Sequence, residues 1–194
     1  MDISTFLNGT QAQSLVRSVS QQLNLDENQA SSAINMAIPV ILAGLTKNAQ
    51  SPEGAQSLNN ALESKHDGSL LNNMGSLLDG NLGDLFQDGN NILGHIFGGN
   101  KSGIEQGISK KTGLSMDKIA PLLALLAPIV MAYLGKQKRQ TNTQAGGLGD
   151  LLSGMLSGGT PSKGGSIMDM VTGMIDKNKD GNVLDDLVGG FFRK

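Results

Sequence analysis

The sequence IAPLLALLAPIVMAYL, from Ile119 to Leu134, is the longest uncharged apolar run in the chain, and it decides the fold. It has no polar face, which is typical of a helix surrounded by other helices. At about 1.5 Å of rise per residue it reaches roughly 24 Å, short of the roughly 30 Å hydrocarbon core of a membrane. We therefore predict an all-α protein in which many short helices surround this central apolar helix. The side chains expected to be most buried are Leu122, Leu123, Leu126, Ile129, Val130 and Leu134.

The composition excludes several classes of protein. The 194 residues carry a formal net charge of -2, so the basic surface typical of nucleic-acid binders is missing and we expect no nucleic-acid partner. The chain has no cysteine, which excludes disulfides, thiolate metal sites and cysteine nucleophiles. The amino terminus shows no basic segment followed by an apolar one. This predicts no signal peptide and a cytoplasmic location, with leaderless export left open.

Two amphipathic helices are predicted near the amino terminus. Apolar residues from Leu15 to Leu23 recur at three- and four-residue spacing, which indicates one apolar stripe on a helix. Asp26 followed by Gln29 has the spacing of a capping box, so a second helix should begin there. This second helix contains Pro39, which lacks a backbone donor and should bend it.

The same construction recurs 89 residues later. Residues 19–47 align without a gap on residues 108–136, and Pro39 falls opposite Pro128. Asp26 and Ser115 are also equivalent, and both residue types are favoured at the N-cap of a helix. The alignment predicts an internal repeat of a helix, a cap and a bent helix.

Gly-rich stretches divide the rest of the chain. We predict a first repeat unit with a Gly-rich tail at 1–100, a second unit with the central helix at 101–138, a flexible linker at 139–165 and a calcium-loop helical hairpin at 166–194. Within these segments, short helices are predicted at 52–64 and 148–156.

The two Gly-rich tails resemble each other in two ways. Residues 69–74 match residues 166–171, but Leu82-Gly83-Asp84-Leu85 equally resembles Leu148-Gly149-Asp150-Leu151. The residues alone do not decide between the two alignments.

The run Asp176-Lys177-Asn178-Lys179-Asp180-Gly181-Asn182 carries the chemical motif of the chain. It places oxygen side chains at loop positions one, three and five and glycine at six, as in the first half of a calcium loop. The twelfth position is Leu187 instead of the bidentate Glu, which leaves two neighbouring carboxylates as substitutes. The predicted Ca²⁺ ligands are Asp176, Asn178, Asp180, Asn182 through its carbonyl, and Asp185 and Asp186. The alternative is an Asx-rich turn that caps the last helix without a metal.

No catalytic constellation is visible in the sequence, so we predict that the protein is not an enzyme. His66 and His95 belong to no visible catalytic constellation, and each is expected at the surface or the edge of the core. Gly147-Leu148-Gly149 lacks the third glycine of a dinucleotide fingerprint. Residues 15–37 have the outline of a helix-turn-helix, but the second helix opens with acidic residues that phosphates would repel.

Three segments carry a resemblance to a known family: Gln22 to Asn48, the glycine-bounded DGNNILGHIFG from Asp88 to Gly98, and Asp176 to Leu187. With them the chain resembles the bacterial domain of unknown function 937 family (DUF937). The resemblance implies an all-helical bacterial protein and supplies no activity. The calcium prediction comes from the ligand spacing alone.

Two functions are compatible with these features. The first is a non-enzymatic structural or interaction protein that forms a homo-oligomer or binds a protein partner, since its interrupted amphipathic segments carry more apolar surface than one small core absorbs. The second is a membrane-active or exported protein that inserts its 119–134 helix.

Overall fold

The computed structural model describes residues 9–72 and 82–157, which are helical and contain no strand, as the all-α prediction requires. Short 3-10 turns at Gly98–Asn100 and Ala145–Gly147 connect helices near the middle and the end of this part. In chain order the α-helices are α1 (Thr10–Leu23), α2 (Glu27–Asn48), α3 (Pro52–Ser64), α4 (Ser69–Asn72), α5 (Gly83–Phe97), α6 (Lys101–Thr112), α7 (Met116–Thr141) and α8 (Leu148–Ser157).

Helix α7 is the centre of the fold. Its apolar run is buried except at Ala120 and Pro121, which are half-buried, and the six side chains predicted to be most buried are at most 1% exposed. Each of the other α-helices contacts α7, with α5 and α2 making the largest contacts. One hydrophobic cluster includes residues from α1 through α8, so the two predicted repeat units share a single core.

The two helices that the sequence predicts to be bent, α2 and α7, begin differently. At α2 the backbone N–H of Gln29 donates to Asp26 Oδ1 at 2.8 Å and the Asp26 N–H donates to Gln29 Oε1 at 3.3 Å, which confirms the predicted capping box. Ser115 occupies the N-cap position of α7, but its side chain accepts no backbone hydrogen bond there. The Ser115 hydroxyl instead bonds the carboxylate of Asp117, which is the main reason why the pKa of Asp117 is lowered.

The turns that precede the bent helices share a geometry. Each first helix ends in a left-handed residue, Asn24 with φ 49° and Gly113 with φ 74°. Ser20 Oγ then donates to the carbonyl of Leu25 at 2.6 Å, and Ser109 Oγ donates to the carbonyl of Leu114 at 2.6 Å. A serine four residues before the left-handed position therefore closes both turns.

A glycine lets α5 approach α7 at the proline in the middle of α7. Pro128 has no N–H to donate to the carbonyl of Ala124, one turn earlier. Gly89 of α5 packs directly on that carbonyl, because a Cβ there would overlap its oxygen and lie 2.6 Å from its carbon. The backbones of the two helices therefore touch where the α7 hydrogen-bond ladder is interrupted.

The stretch predicted as a linker, 139–165, starts inside the last turn of α7, which continues to Thr141. It then forms the 3-10 turn and α8, whose bounds of 148–157 agree with the short helix predicted at 148–156. Leu148 and Leu152 of α8 are fully buried against the core. Burial of these leucines explains why this part of the stretch is ordered against the core, while 158–165 lie outside the described residues.

Candidate functional site

The predicted calcium ligands lie outside the described residues. This holds for Asp176, Asn178, Asp180, Asn182, Asp185 and Asp186. Within residues 9–72 and 82–157, no group of three or more His, Asp or Glu side chains could hold a metal ion.

A polar cluster around one buried histidine lies where the turn between α3 and α4 meets α5 and the C-terminal part of α7. We call it the His66 cluster, because the imidazole of His66 is its most buried side chain, at 5% exposure. Its members are Asn59, Glu63, His66, Asp67, Asp88, Lys138 and Arg139.

His66 connects three elements of the fold. Its Nε2 lies 3.5 Å from Asp88 Oδ2 on α5, while its Nδ1 is buried and has no hydrogen-bond partner in the structure. Its backbone carbonyl packs on Gly135 of α7, where a Cβ would overlap the carbonyl oxygen. His66 therefore bridges α5 and α7 from the end of α3, whereas His95 is exposed.

Two ion pairs hold the same turn on α7. Lys138 Nζ donates to Glu63 Oε1 at 2.6 Å, and this hydrogen bond is the main reason why the pKa of Glu63 is lowered. The Arg139 guanidinium donates to the backbone carbonyl of Asp67 and lies 3.2 Å from its carboxylate. Hydrogen bonds from Ser69 lower the pKa of Asp67, and Arg139 adds to the effect.

The cluster joins helices around an imidazole that is almost completely buried. An imidazole beside a carboxylate is one half of an acid–base pair, but general catalysis needs a nitrogen within hydrogen-bond reach of a substrate. The ring of His66 is almost completely buried, so its chemistry is limited to holding a proton or releasing it. The sequence did not reveal this pair, because Asp88 lies 22 positions after His66 and no local spacing connects them.

We predict that His66 makes the protein sensitive to mild acid. Burial lowers the pKa of His66, Lys65 lowers it further, and Asp88 opposes the shift. The folded-state pKa of His66 is below the unfolded value of about 6.5. The contribution of neutral His66 to the free energy of unfolding is therefore complete above about pH 6.5, and it is lost as the pH falls from there towards the folded-state pKa. Urea unfolding at about pH 7.5 and about pH 5.5 measures the loss. Each tenfold difference in proton affinity between the unfolded and folded states is worth about 1.4 kcal/mol.

The matched control is His66→Gln, whose side chain does not titrate. Its free energy of unfolding should change less over this interval than that of the wild type. The lowered carboxyl pKa values of Glu63 and Asp67 act at lower pH, since the unfolded values are about 4.3 and about 3.9. Equal pH dependence in the two proteins contradicts the assignment to His66.

Among the helices of residues 9–72 and 82–157, two are long and apolar enough to cross a membrane. They are α2 and α7, and 61% and 83% of their most apolar windows are buried inside the protein. The central helix of a helical core has this same composition. Length and composition therefore do not separate the two functions considered from the sequence.

The fold is all-helical and built on one apolar helix, and the His66 cluster connects α3, α5 and α7. Residues 5–137 match the family described as "Bacterial protein of unknown function (DUF937)", and the chain belongs to this family. This confirms the family resemblance seen in the sequence; the match includes Gln22–Asn48 and Asp88–Gly98, and Asp176–Leu187 lies outside it. No curated protein and no solved structure matches the chain.

Proposed function

We propose that the protein is a non-enzymatic structural or interaction protein that assembles with copies of itself. The observation that carries this proposal is that His66 and the ion pairs Lys138–Glu63 and Arg139–Asp67 connect helices to one another. Partly exposed apolar side chains on α5 support the assembly. They are Leu85, Phe86, Ile96 and Phe97.

Self-association is expected to be visible by size-exclusion chromatography with light scattering. The mass should exceed the 20.2 kDa of one chain and rise with concentration. Leu85→Lys should reduce the mass, because it places a charge on the half-buried α5 surface, whereas Gln87→Lys at an exposed position should not. A 20.2 kDa species at every concentration refutes the proposal.

We further infer that the chain contains two copies of a helix, cap and bent-helix unit. Support comes from the matching serine hydrogen bonds at Leu25 and Leu114, both 2.6 Å, and from the prolines at the same depth in α2 and α7. In the second copy the bent helix has no polar face, because it occupies the centre of the core.

The proposal includes a Ca²⁺ site at residues 176–186. Asp176, Asn178 and Asp180 supply oxygen ligands at the spacing of a calcium loop, and Gly181 allows the sharp turn. Without the terminal Glu, the shell is completed by Asp185, Asp186 or water. We expect a dissociation constant between about 10⁻⁶ and 10⁻³ M, the range of sensor and extracellular sites. Calcium would then stabilise the C-terminal turn.

Calcium is expected to raise the free energy of unfolding by about 2.7 kcal/mol at a hundredfold excess over the dissociation constant. Asp180→Ala should abolish this gain and leave the calcium-free protein nearly unchanged, whereas Lys179→Ala, between two ligands, should retain it. Isothermal titration and thermal melts with calcium or EGTA measure both quantities. Without a binding heat at millimolar calcium, and with EGTA leaving the wild-type melt unchanged, the run is a helix-capping turn.

The second candidate function is a membrane-active or exported protein that inserts α7. The length and apolar character of α7 and α2 favour it, but insertion would require α7 to leave a core that buries 83% of its most apolar window. Flotation with anionic and neutral liposomes, each with and without calcium, separates the two functions. Co-flotation of the folded protein favours the membrane function, and its absence favours the interaction protein.

A further inference from the structure

Neighbouring helices cover α7 more completely than they cover α2. At the 89-residue offset, Asn35 and Met36 of α2 are equivalent to Ala124 and Leu125 of α7. Ala124 and Leu125 are buried, whereas Asn35 is exposed and Met36 is only half-buried. We call the surface formed by Ser32, Asn35 and Met36 the open face of α2.

The difference arises from the helices that follow each unit. Helix α5 follows the first unit and crosses α7 with Gly89 on the Ala124 carbonyl. Helix α8 follows the second unit and packs near the C-terminal end of α2. A Cβ on Gly149 of α8 would lie 3.8 Å from the carbonyl of Ala49. The helix that follows each unit therefore packs on the proline-containing helix of the other unit: α5 on α7, and α8 on α2. Helix α8 has 10 residues and α5 has 15, so the described part of α8 stops short of the open face.

A groove of about 310 Å³ adjoins the open face between α1 and α2. Ala12 and Val16 form its apolar part, and Ser31 continues it toward Asn35 one turn along α2. The rest of the groove lining is polar, and the small side chains of Ser31 and Ser32 allow another helix to approach closely at the open face.

We propose that residues 167–175 of the same chain, IMDMVTGMI, dock on the open face of α2. Apolar side chains at 167, 168, 171, 174 and 175 recur at helical spacing, and Gly173 is a small residue for a close crossing. The methionines in this stretch suit a shallow groove, because their unbranched side chains adapt to irregular surfaces.

The chain is long enough for this contact. Helix α8 ends at Ser157, and the residues from 158 to 166 can span up to roughly 30 Å when extended. The open face at Met36 lies 13 residues from Ala49, which is about 20 Å along the helix axis. Docking within one chain therefore needs no opening of the core.

Disulfide trapping tests the proposal, because the natural chain has no cysteine. The test pair is Ser32→Cys with Val171→Cys, and the matched control is Ser102→Cys with Val171→Cys, since Ser32 and Ser102 are both exposed helix residues. An intrachain disulfide should form at least about tenfold faster in the test pair, because docking raises the effective concentration of the two thiols. Equal rates overturn the proposal. A disulfide between two chains also overturns it, by making a second copy the occupant.

Hydrogen exchange provides a measurement without cysteines. In the wild type, amides of residues 167–175 should exchange more slowly than in Met36→Asp, while amides of α7 should be equally protected in both proteins. The Met36→Asp carboxylate would face the apolar stripe of the docked segment. If residues 167–175 exchange at the same rate in both proteins, the segment does not dock on α2.

Discussion

Replacing Leu126 by Asp is expected to unfold the protein. Leu126 lies in the middle of α7 and is 0% exposed, so the carboxylate would be surrounded by apolar side chains with no water or cation near it. An unpaired buried charge costs on the order of several kcal/mol, which is comparable with the roughly 5–15 kcal/mol that stabilises a typical domain. Circular dichroism during thermal or urea unfolding measures the loss.

Two controls distinguish the effect of the buried charge on stability from the effect of the lost side-chain volume. Leu126→Ala should cost about 2–5 kcal/mol through the cavity that it leaves, and the protein should remain folded if its stability exceeds that amount. Asp at the exposed position Gln106 should change little. If Leu126→Asp melts at the wild-type temperature, α7 is not the buried centre of the protein.

Gly89→Ala is expected to cost about 3 kcal/mol, at the upper end of overpacking effects. The new Cβ would overlap the Ala124 oxygen and lie 2.9 Å from its Cα, so the obstacle is backbone and not a side chain that can rotate away. Helices α5 and α7 would have to separate at Pro128. The free energy of unfolding from urea titration measures this cost.

Gly94→Ala is the matched control in the same helix. A Cβ at Gly94 meets no atom within 4 Å, so this substitution should stabilise the protein by about 0.5–1 kcal/mol through helix propensity. The two substitutions add the same methyl group to α5 and should have opposite signs. Stabilisation by both would mean that α5 does not cross α7 at Gly89.

Local features of the chain were predictable because their causes are local. The capping box at Asp26 and the start of α3 at Pro52 follow from side chains that bond three residues along the chain. The exception is Ser115, whose residue type predicts a cap but whose hydroxyl bonds Asp117. Two equally local partners compete for this hydroxyl, and residue type does not decide between them.

The His66 cluster was not predictable in this way. His66 meets Asp88 and Gly135 only after α3, α5 and α7 have packed, and each of these residues lies more than 20 positions from the others. Gly89 is a similar case. Its role depends on the carbonyl of Ala124, which Pro128 cannot satisfy, on a different helix.

The sequence by itself determined the all-α class, the central place of the Ile119–Leu134 run and the positions of the caps, since apolar periodicity and short-range hydrogen bonds act along the chain. Only the tertiary structure decided which helix covers which. It placed α5 on α7 and α8 on α2, buried His66 beside Asp88, and left the open face of α2 uncovered within the described part of the chain. The physical reason is that an apolar stripe does not specify which helix packs against it, because burial favours any close-packed pairing. The choice between pairings depends on steric details such as Gly89, which act only between helices already in contact.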